Sequence, residues 1–420
     1  KKLNYQQESG LNTTLPFGIN ELSIKRTLTT ESTIIFSPFD TQELIQKEGM
    51  YYGQNASSHN LILYNRKSAD NGNGWILGTP GSGKSFSAKR EMSNVFLNTD
   101  DDILIIDPER EYSPLVKAFG GEIVRIAPGS HFHLNPLDMD KQYADDEDPV
   151  TLKADFVLSL CETVIGGRYG LTPSQRTIID RCVRLLYQEY IQDFDREKIP
   201  TLLQFQRVLE AQPEREAREI ALAFEIYTKG SLDVFAHHSN VDVDNRFVVY
   251  DIKDIGSNIK TMAYLIVLDA IWNRVIQNRR KGKRTWIYID EVYILFEREE
   301  STNFIRQIFS RCRKWGGLIT CITQNVEPIL QNTIATSMLS NSAFIQLLNQ
   351  APVDRDILAN LLHISPTQVG YINNAPAGQG VFYIQGQGII PFRDNFSKAI
   401  APNLYGVLTS KPSELKDEFK

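Results

Sequence analysis

Gly78-Thr79-Pro80-Gly81-Ser82-Gly83-Lys84-Ser85 decides the fold of this chain, because it has the spacing G-x-x-x-x-G-K-[ST] of a phosphate-binding loop. Glycines allow the backbone of such a loop to turn its N–H groups toward a triphosphate at close range. The pattern predicts that Lys84 reaches the β- and γ-phosphates and that the Ser85 hydroxyl ligates Mg²⁺. We therefore predict that these eight residues and the following Phe86 bind a nucleoside triphosphate.

The residues on either side of the loop support this interpretation. Trp75-Ile76-Leu77 is an apolar run that predicts a strand, and residues 86–92 predict a helix that begins near Lys84. The N-terminus of that helix would add the positive end of its dipole to a phosphate site. The alternative is a turn rich in glycine and serine that matches by chance, but the strand–loop–helix order argues against it.

Length and composition indicate a globular protein with more than one core. The chain has 420 residues, of which 42% are hydrophobic and 23% charged, so we expect two domains or one domain with an insertion. No apolar run approaches the length of a membrane span. The four cysteines lack C-x-x-C spacing, which favours reduced thiols in the cytosol. A net charge of −6 argues against a protein that coats nucleic acid by bulk electrostatics.

Strand patterns on both sides of a long helical region predict an α/β fold. Residues 102–107 form a continuous apolar run typical of a buried parallel strand, and residues 123–126 form a weaker one. Extended runs at residues 32–36 and 61–64 predict strands that lead into the core. The sequence therefore predicts a central sheet, mostly parallel, with helices on its faces.

Between about residue 150 and residue 240, amphipathic helical patterns replace the strands. The clearest helix start is Thr172-Pro173-Ser174-Gln175, where Thr172 and Gln175 can form a capping box. We expect three parts in the chain. These are a discontinuous nucleotide-binding domain at residues 1–150 and 240–400, an all-helical insertion at residues 151–239, and a tail at residues 401–420.

Thr285-Trp286-Ile287-Tyr288-Ile289-Asp290-Glu291 is the second strong motif. It reads as a Walker B strand, which delivers two carboxylates at its carboxyl end, where open α/β sheets bind ligands. We predict that Asp290 holds Mg²⁺ and that Glu291 polarises the attacking water as a general base. The alternative is a pair of acidic residues at a strand end without a catalytic role.

A third group of candidates follows an apolar helical stripe that ends at Trp315. Gln324 is the last residue of the strand predicted at residues 318–324, where an amide can contact both the γ-phosphate and the lytic water. Arg311 and Arg313 flank the helical stripe, and either is a candidate arginine finger that completes a neighbouring chain's site. The alternatives are a glutamine that caps a loop and two solvated arginines.

Together these motifs resemble the RecA-type motor family of FtsK and HerA. The resemblance rests on both Walker motifs, on Asp107-Pro108-Glu109-Arg110-Glu111-Tyr112, on residues 313–316 and on Thr323-Gln324-Asn325. Within that family the chain is most similar to the VirB-four or TraC-type ATPases of bacterial type IV secretion and conjugation systems. The similarity runs from about residue 15 to the low 390s and includes Asn135-Pro136 and the helical insertion. It implies a RecA-like P-loop core with an all-α insertion subdomain.

The resemblance also assigns roles by position. It gives phosphate binding to Lys84, Mg²⁺ binding to Ser85 and Asp290, catalysis to Glu291, the sensor to Gln324, and the finger to Arg313 with Arg311 as the fallback. Members of the family carry an N-terminal domain that contacts the secretion channel. This sequence resembles their C-terminal ATPase part alone.

The function that the resemblance implies is hydrolysis of ATP, with Mg²⁺, to energise channel assembly or substrate transfer. The implied partners are the coupling protein, inner-membrane channel proteins and further copies of the chain, at the cytoplasmic face of the cell membrane. One alternative is a DNA translocase or coupling protein on the same fold, which would contact DNA. The other is a nucleotide-gated assembly scaffold that hydrolyses little ATP.

Overall fold

The computed structural model describes residues 3–23, 27–34, 42–141, 143, 148–167, 169–230, 232–241 and 245–410. The chain divides into two compact units, residues 1–42 and residues 43–420. Among the residues so described, no helix combines the length and the apolar character needed to cross a bilayer.

The smaller unit contains two short helices, α1 (Gln7–Thr14) and α2 (Thr30–Ile34). The strand predicted for residues 32–36 is therefore wrong at residues 32–34, while residues 35 and 36 lie outside the described part. The N–H of Ser32 donates to Thr29 Oγ1 (3.2 Å), and Thr33 Oγ1 donates to the Thr29 carbonyl (3.0 Å). These local hydroxyl bonds favour a helical turn over the extended form that β-branched residues otherwise prefer.

In the larger unit, eleven strands form a single sheet among the described residues. The strands are β1 (Met50–Asn55), β2 (Leu61–Tyr64), β3 (Gly74–Leu77), β4 (Asp102–Asp107), β5 (Glu122–Arg125), β6 (Phe247–Asp251), β7 (Thr285–Ile289), β8 (Gly317–Thr323), β9 (Phe344–Leu347), β10 (Gln379–Ile384) and β11 (Gly388–Arg393). Their order is β2-β1-β11-β10-β9-β3-β8-β7-β4-β6-β5.

The sheet has a parallel part and an antiparallel part. From β9 to β5 all neighbouring strands are parallel, whereas β10, β11, β1 and β2 pair antiparallel at the other side. Apart from the edge strand β5, which is partly exposed, the parallel strands are buried along their whole length, as parallel strands covered on both faces are. The expectation of a mostly parallel sheet is confirmed for the nucleotide-binding region.

Helices cover both faces of the sheet. They are α3 (Lys84–Asn98), α4 (Ser113–Ala118), α5 (Pro149–Ile165), α6 (Pro173–Tyr187), α7 (Tyr190–Asp193), α8 (Leu202–Glu210), α9 (Arg215–Thr228), α10 (Ser257–Arg280), α11 (Glu299–Trp315), α12 (Glu327–Gln331), α13 (Thr333–Ser340), α14 (Pro352–Leu361), α15 (Pro366–Val369) and α16 (Pro402–Leu408). Alternate residues of β3 show the two layers. Ile76 packs with α3 on one face, and Trp75 and Leu77 belong to the core on the other.

The helical region from α5 to α9 shares its core with α10 and α11. Phe156 of α5 lies against Phe304 of α11, with ring centroids 5.2 Å apart. The helix predicted at Thr172 begins there with the expected capping box, in which the N–H of Gln175 donates to Thr172 Oγ1. Helices α5 to α11 therefore pack on the face of the sheet opposite to α3.

Candidate nucleotide-binding site

Three adjacent strands bring the predicted motifs to one edge of the sheet. Strand β8 lies between β3 and β7, and all three run in parallel. Gly78, Gln324 and Asp290 follow directly after these strands, so they share the carboxyl edge. This is the edge at which open parallel sheets bind their ligands.

The loop between β3 and α3 has the backbone shape that its glycines permit. Gly81 and Gly83 have positive φ angles of 77° and 101°, which residues with a Cβ rarely adopt. The N–H of Thr79 donates to the Asn349 carbonyl (2.9 Å), which fixes the loop to the end of β9. Helix α3 then begins at Lys84, as the sequence predicted, so its free N–H groups face the loop.

Lys84 is buried at the start of α3. Its Nζ donates to the Thr79 carbonyl at 3.2 Å. Burial lowers the pKa of Lys84, although the nearby carboxylates of Glu291, Asp290 and Glu111 oppose that shift. The lysine of the loop and the carboxylates that follow β7 therefore belong to one electrostatic site.

The two Walker B carboxylates differ in their surroundings. Asp290 is almost fully buried, and burial together with Glu291 and Asp107 raises its pKa well above the usual range. Glu291 has a left-handed backbone (φ 47°), an uncommon and strained conformation for a residue with a Cβ, of a kind that is enriched at active sites. Burial also raises the pKa of Glu291, while Lys84 and the backbone N–H of Gln324 act in the other direction.

The segment after β4 adds further acidic groups. The Asp107 carboxylate accepts hydrogen bonds from the N–H groups of Glu109 (3.2 Å), Glu111 (3.1 Å) and Tyr112 (3.0 Å). Burial raises the pKa of Asp107 to about 6 in spite of these bonds. Glu111 lies near Lys84 and Asp290 and affects the pKa of both. Glu109 Oε1 lies 3.6 Å from Lys260 Nζ, and Glu109 also contributes to the raised pKa of Glu291.

These residues fit a nucleotide with Mg²⁺. Glu291 Oε2 is buried and has no hydrogen-bond partner within the described residues, and three carboxylates, those of Glu291, Asp290 and Glu111, lie near Lys84. Such crowding favours a bound cation. Over the same described ranges, no three His, Cys, Asp or Glu side chains converge on a metal position. Mg²⁺ is usually held by one or two carboxylates together with phosphates and water, so a site for it does not need such a cluster, and Ser85 and Asp290 remain the predicted ligands.

Gln324 lies where the sequence placed it, directly beyond β8. Its side chain is exposed, and its backbone N–H faces the Glu291 carboxylate. The amide group is therefore free to turn toward a bound phosphate at the same edge.

The two candidate arginine fingers lie at the opposite edge. Helix α11 ends at Trp315, and β8 begins at Gly317, so the end of α11 lies at the amino edge of the sheet. Strand β8 has seven residues, which separates the two edges by roughly 20 Å. Arg313 is exposed and donates from Nε to the Asp70 carbonyl (2.7 Å). Arg311 is half-buried near Tyr143, whose pKa is raised by burial in spite of the opposing charge of Arg311. The structure thus does not bring either arginine to this chain's own loop.

The sequence reasoning missed one buried cation beside the site. Lys89 is fully buried in α3, with Nζ 5.6 Å from the ring centroid of Tyr112 and 3.0 Å from Ser410 Oγ. Burial lowers its pKa to about 8, while Glu111 and Asp107 oppose the shift. The available signal was its position, because Lys89 lies next to Ala88 and three residues before Met92 on the apolar face of the helix.

The comparison with known protein families shows to which family the chain belongs. Residues 62–368 match the TraG P-loop domain family, which is more than half of the chain. The chain belongs to the TraG P-loop domain family. The resemblance to P-loop motors of conjugation systems that the motifs indicated is confirmed. No curated protein matches this TraG-family chain in sequence.

Solved structures show the same fold. VirB4 of Thermoanaerobacter pseudethanolicus is 23% identical and superposes with a TM-score of 0.75 over 85% of this chain and 99% of that one. The plasmid coupling protein TrwB in complex with ADP and Mg²⁺ is 13% identical, with a TM-score of 0.53 over 84% of this chain and 94% of that one. At these identities the similarity shows the fold, and it confirms the RecA-like P-loop architecture.

Proposed function

We propose that this protein is an ATP-hydrolysing motor of a type IV secretion or conjugative transfer system. The observation that carries the proposal is the meeting of Lys84, Asp290 and Glu291 at the carboxyl edge of adjacent parallel strands. Membership of the TraG P-loop domain family supports it, and so do the folds shared with VirB4 and TrwB. The complexes of TrwB with an ATP analogue and with ADP and Mg²⁺ support ATP and Mg²⁺ as the ligands here.

The phosphate-binding residues act through charge and preorganised donors. The ammonium group of Lys84 would balance the negative charge of the β- and γ-phosphates as the terminal phosphoryl group leaves. The N–H groups of residues 81–85, at the N-terminus of α3, would hold the phosphate oxygens. Ser85 and Asp290 would hold Mg²⁺, which when bound supplies further positive charge at the phosphate oxygens.

Glu291 is the candidate general base. Burial raises its pKa above the usual value, which brings its basicity nearer to neutral pH and suits a group that accepts a proton from water. Its carboxylate oxygen without a hydrogen-bond partner is available to orient that water. Gln324, exposed beyond β8, would report the presence of the terminal phosphate.

Arg313 acts in trans in this proposal, because roughly 20 Å of sheet separates it from the loop of its own chain. A head-to-tail neighbour would bring the amino edge of one chain to the carboxyl edge of the next. Contacts with a coupling protein and with inner-membrane channel proteins, at the cytoplasmic face of the membrane, belong to the same proposal.

The test measures phosphate release from ATP by the wild type and by Glu291→Gln. The matched control is Glu297→Gln, which removes an exposed carboxylate nearby. We expect Glu291→Gln to retain ATP binding and to lose about 10²- to 10⁴-fold in kcat, the contribution typical of a general base. The control should hydrolyse ATP as the wild type does. The assay is run with and without single- and double-stranded DNA, over a series of protein concentrations.

Each outcome bears on the assignment. Absence of turnover in the wild type under all conditions would contradict the motor and favour the nucleotide-gated scaffold. Strong stimulation by DNA would favour the DNA translocase instead. An equal loss in both glutamate variants would exclude a specific role for Glu291.

A further inference from the structure

A fully buried ion pair lies between α3 and the sheet, away from the phosphates. Arg66, in the turn before β3, donates from Nη1 to both carboxylate oxygens of Glu91 in α3 (2.8 and 3.0 Å). The two side chains are 0% and 3% exposed. The guanidinium group also lies between the rings of Trp286 and Phe344, with centroid distances of 5.2 and 4.8 Å.

Both partners are also bound to several other elements. Arg66 donates to the Gly72 carbonyl (2.7 Å from Nη2) and to Thr320 Oγ1 in β8 (2.9 Å from Nη1). The Glu91 carboxylate accepts the hydroxyl of Tyr288 in β7 (2.9 Å) and that of Tyr52 in β1 (2.5 Å). One ion pair thus connects a helix, the turn before β3 and three strands.

The residues bonded to the ion pair lie close in the chain to the predicted site residues. Glu91 is seven residues, or about two helical turns, after Lys84, which places both on one side of α3. Tyr288 precedes Asp290 by two residues, and Thr320 precedes Gln324 by four. Tyr288 and Thr320 lie inside β7 and β8, a few residues before the carboxyl edge, so the pair lies below the site on all three elements.

Stability alone does not account for this pair. Apolar side chains of α3, among them Ala88, Met92 and Val95, are fully buried against the same face of the sheet. Replacing a buried ion pair by apolar residues of similar volume is often neutral or stabilising. Apolar contacts hold the helix on the sheet, whereas directional hydrogen bonds also fix its axial position and rotation.

We propose that Arg66 and Glu91 are positioning residues that set α3 against β7 and β8, so that the loop lysine and serine stay aligned with the Walker B carboxylates. This inference rests on the proposed function for its kinetic readout. Neither residue touches the nucleotide. They act through the position of the helix that does.

The test is the double variant Arg66→Met/Glu91→Leu. Its matched control is Lys153→Met/Asp269→Leu, which removes another fully buried ion pair (2.6 Å) on the opposite side of the sheet, between α5 and α10. We expect both variants to lose similar amounts of thermal stability, because each leaves buried hydroxyls without a partner, those of Tyr288 and Tyr52 in the first and that of Tyr143 in the second. Only the first should lose kcat, at least about tenfold with KM within about threefold, because a misplacement near 1 Å can reduce turnover by two orders of magnitude.

A second readout does not need turnover. Because Ser85 is on α3 and Asp290 follows β7, Mg²⁺ should tighten binding of a fluorescent ATP analogue only when the two elements are aligned. We expect the Mg²⁺ effect to persist in the wild type and the control and to be lost in Arg66→Met/Glu91→Leu. A wild type that binds with Mg²⁺ but hydrolyses nothing would contradict the motor and leave this comparison intact.

If the double variant does not fold, Tyr288→Phe replaces it, since that change cuts only the bond between Glu91 and β7. We then expect a several-fold lower kcat at unchanged thermal stability. Wild-type kcat and Mg²⁺ dependence in the folded variants would overturn the inference. Equal losses of kcat in both double variants would also overturn it, because the effect would then be a general one of removing buried charge.

Discussion

Gly83→Ala is the substitution whose effect follows most directly from the geometry of the loop. Gly83 precedes α3 with φ 101°, and a Cβ built there would lie 3.2 Å from the backbone nitrogen of Gly378. The N–H of Gly378 donates to the Ser82 carbonyl at 3.1 Å, so this nitrogen is held by the loop itself. Alanine would therefore meet an unfavourable φ angle and a backbone atom that cannot rotate away.

The expected energy is the sum of these two effects. The left-handed region costs an alanine about 1–2 kcal/mol. The backbone contact brings the total to about 2 kcal/mol or more, within the range for a locally strained residue. If the loop keeps its shape, the protein loses that amount of stability. If the loop moves, ATP binding weakens by about 30-fold instead, at 1.4 kcal/mol for each factor of ten.

The assay combines titration of a fluorescent ATP analogue with denaturant unfolding, and the two losses should sum to about 2 kcal/mol. Gly81→Ala is the matched control, because its φ is 77° but its Cβ would have no atom within 4 Å. It should show the smaller loss that comes from backbone strain alone. Wild-type affinity and stability in Gly83→Ala, or losses equal to those in Gly81→Ala, would refute the reasoning.

Two further predictions concern the finger and the buried lysine. Arg313→Ala and Lys84→Ala should each abolish turnover, and an equimolar mixture should regain about a quarter of it if sites form between neighbours in a ring. No recovery in an ATPase assay of the mixture would exclude a trans role. Because the pKa of Lys89 falls from 10.5 to about 8 on burial, unfolding takes up a proton between these values, and stability rises with pH across that window. Lys89→Met should thus be more stable than wild type at pH 7, by at most about 3 kcal/mol, and lose that advantage by pH 10.5, as measured by denaturant unfolding.

The parts of the site that could be predicted are those formed by residues that are adjacent in the sequence. The loop at residues 78–85 and the end of β7 each combine their chemistry and their local structure within eight residues. Because the strands that carry them run in parallel, both motifs end at the same edge of the sheet, and the sequence pattern was enough to predict this.

The remaining parts depend on residues that are distant in the chain. Arg66 meets Thr320, and the loop residue Thr79 is tied to Asn349, across some 250 to 270 positions. No periodicity links such pairs. The antiparallel strands β10 and β11 were missed for a similar reason, since their pairing with β9 and β1 is set by the completed sheet. The helix at Thr30–Ile34 was missed because local hydroxyl bonds outweighed the strand preference of its residues.

The separation of Arg313 from the loop has a consequence for assembly. On the trans proposal, each contact between two copies completes one site, so an open row always leaves one loop without a finger at one end and one unused finger at the other. Two copies would form a single working site, and only a closed ring would give every chain one. Closing the ring would then add the last working site, and an agent that opens one contact would silence one site while leaving its neighbours at work.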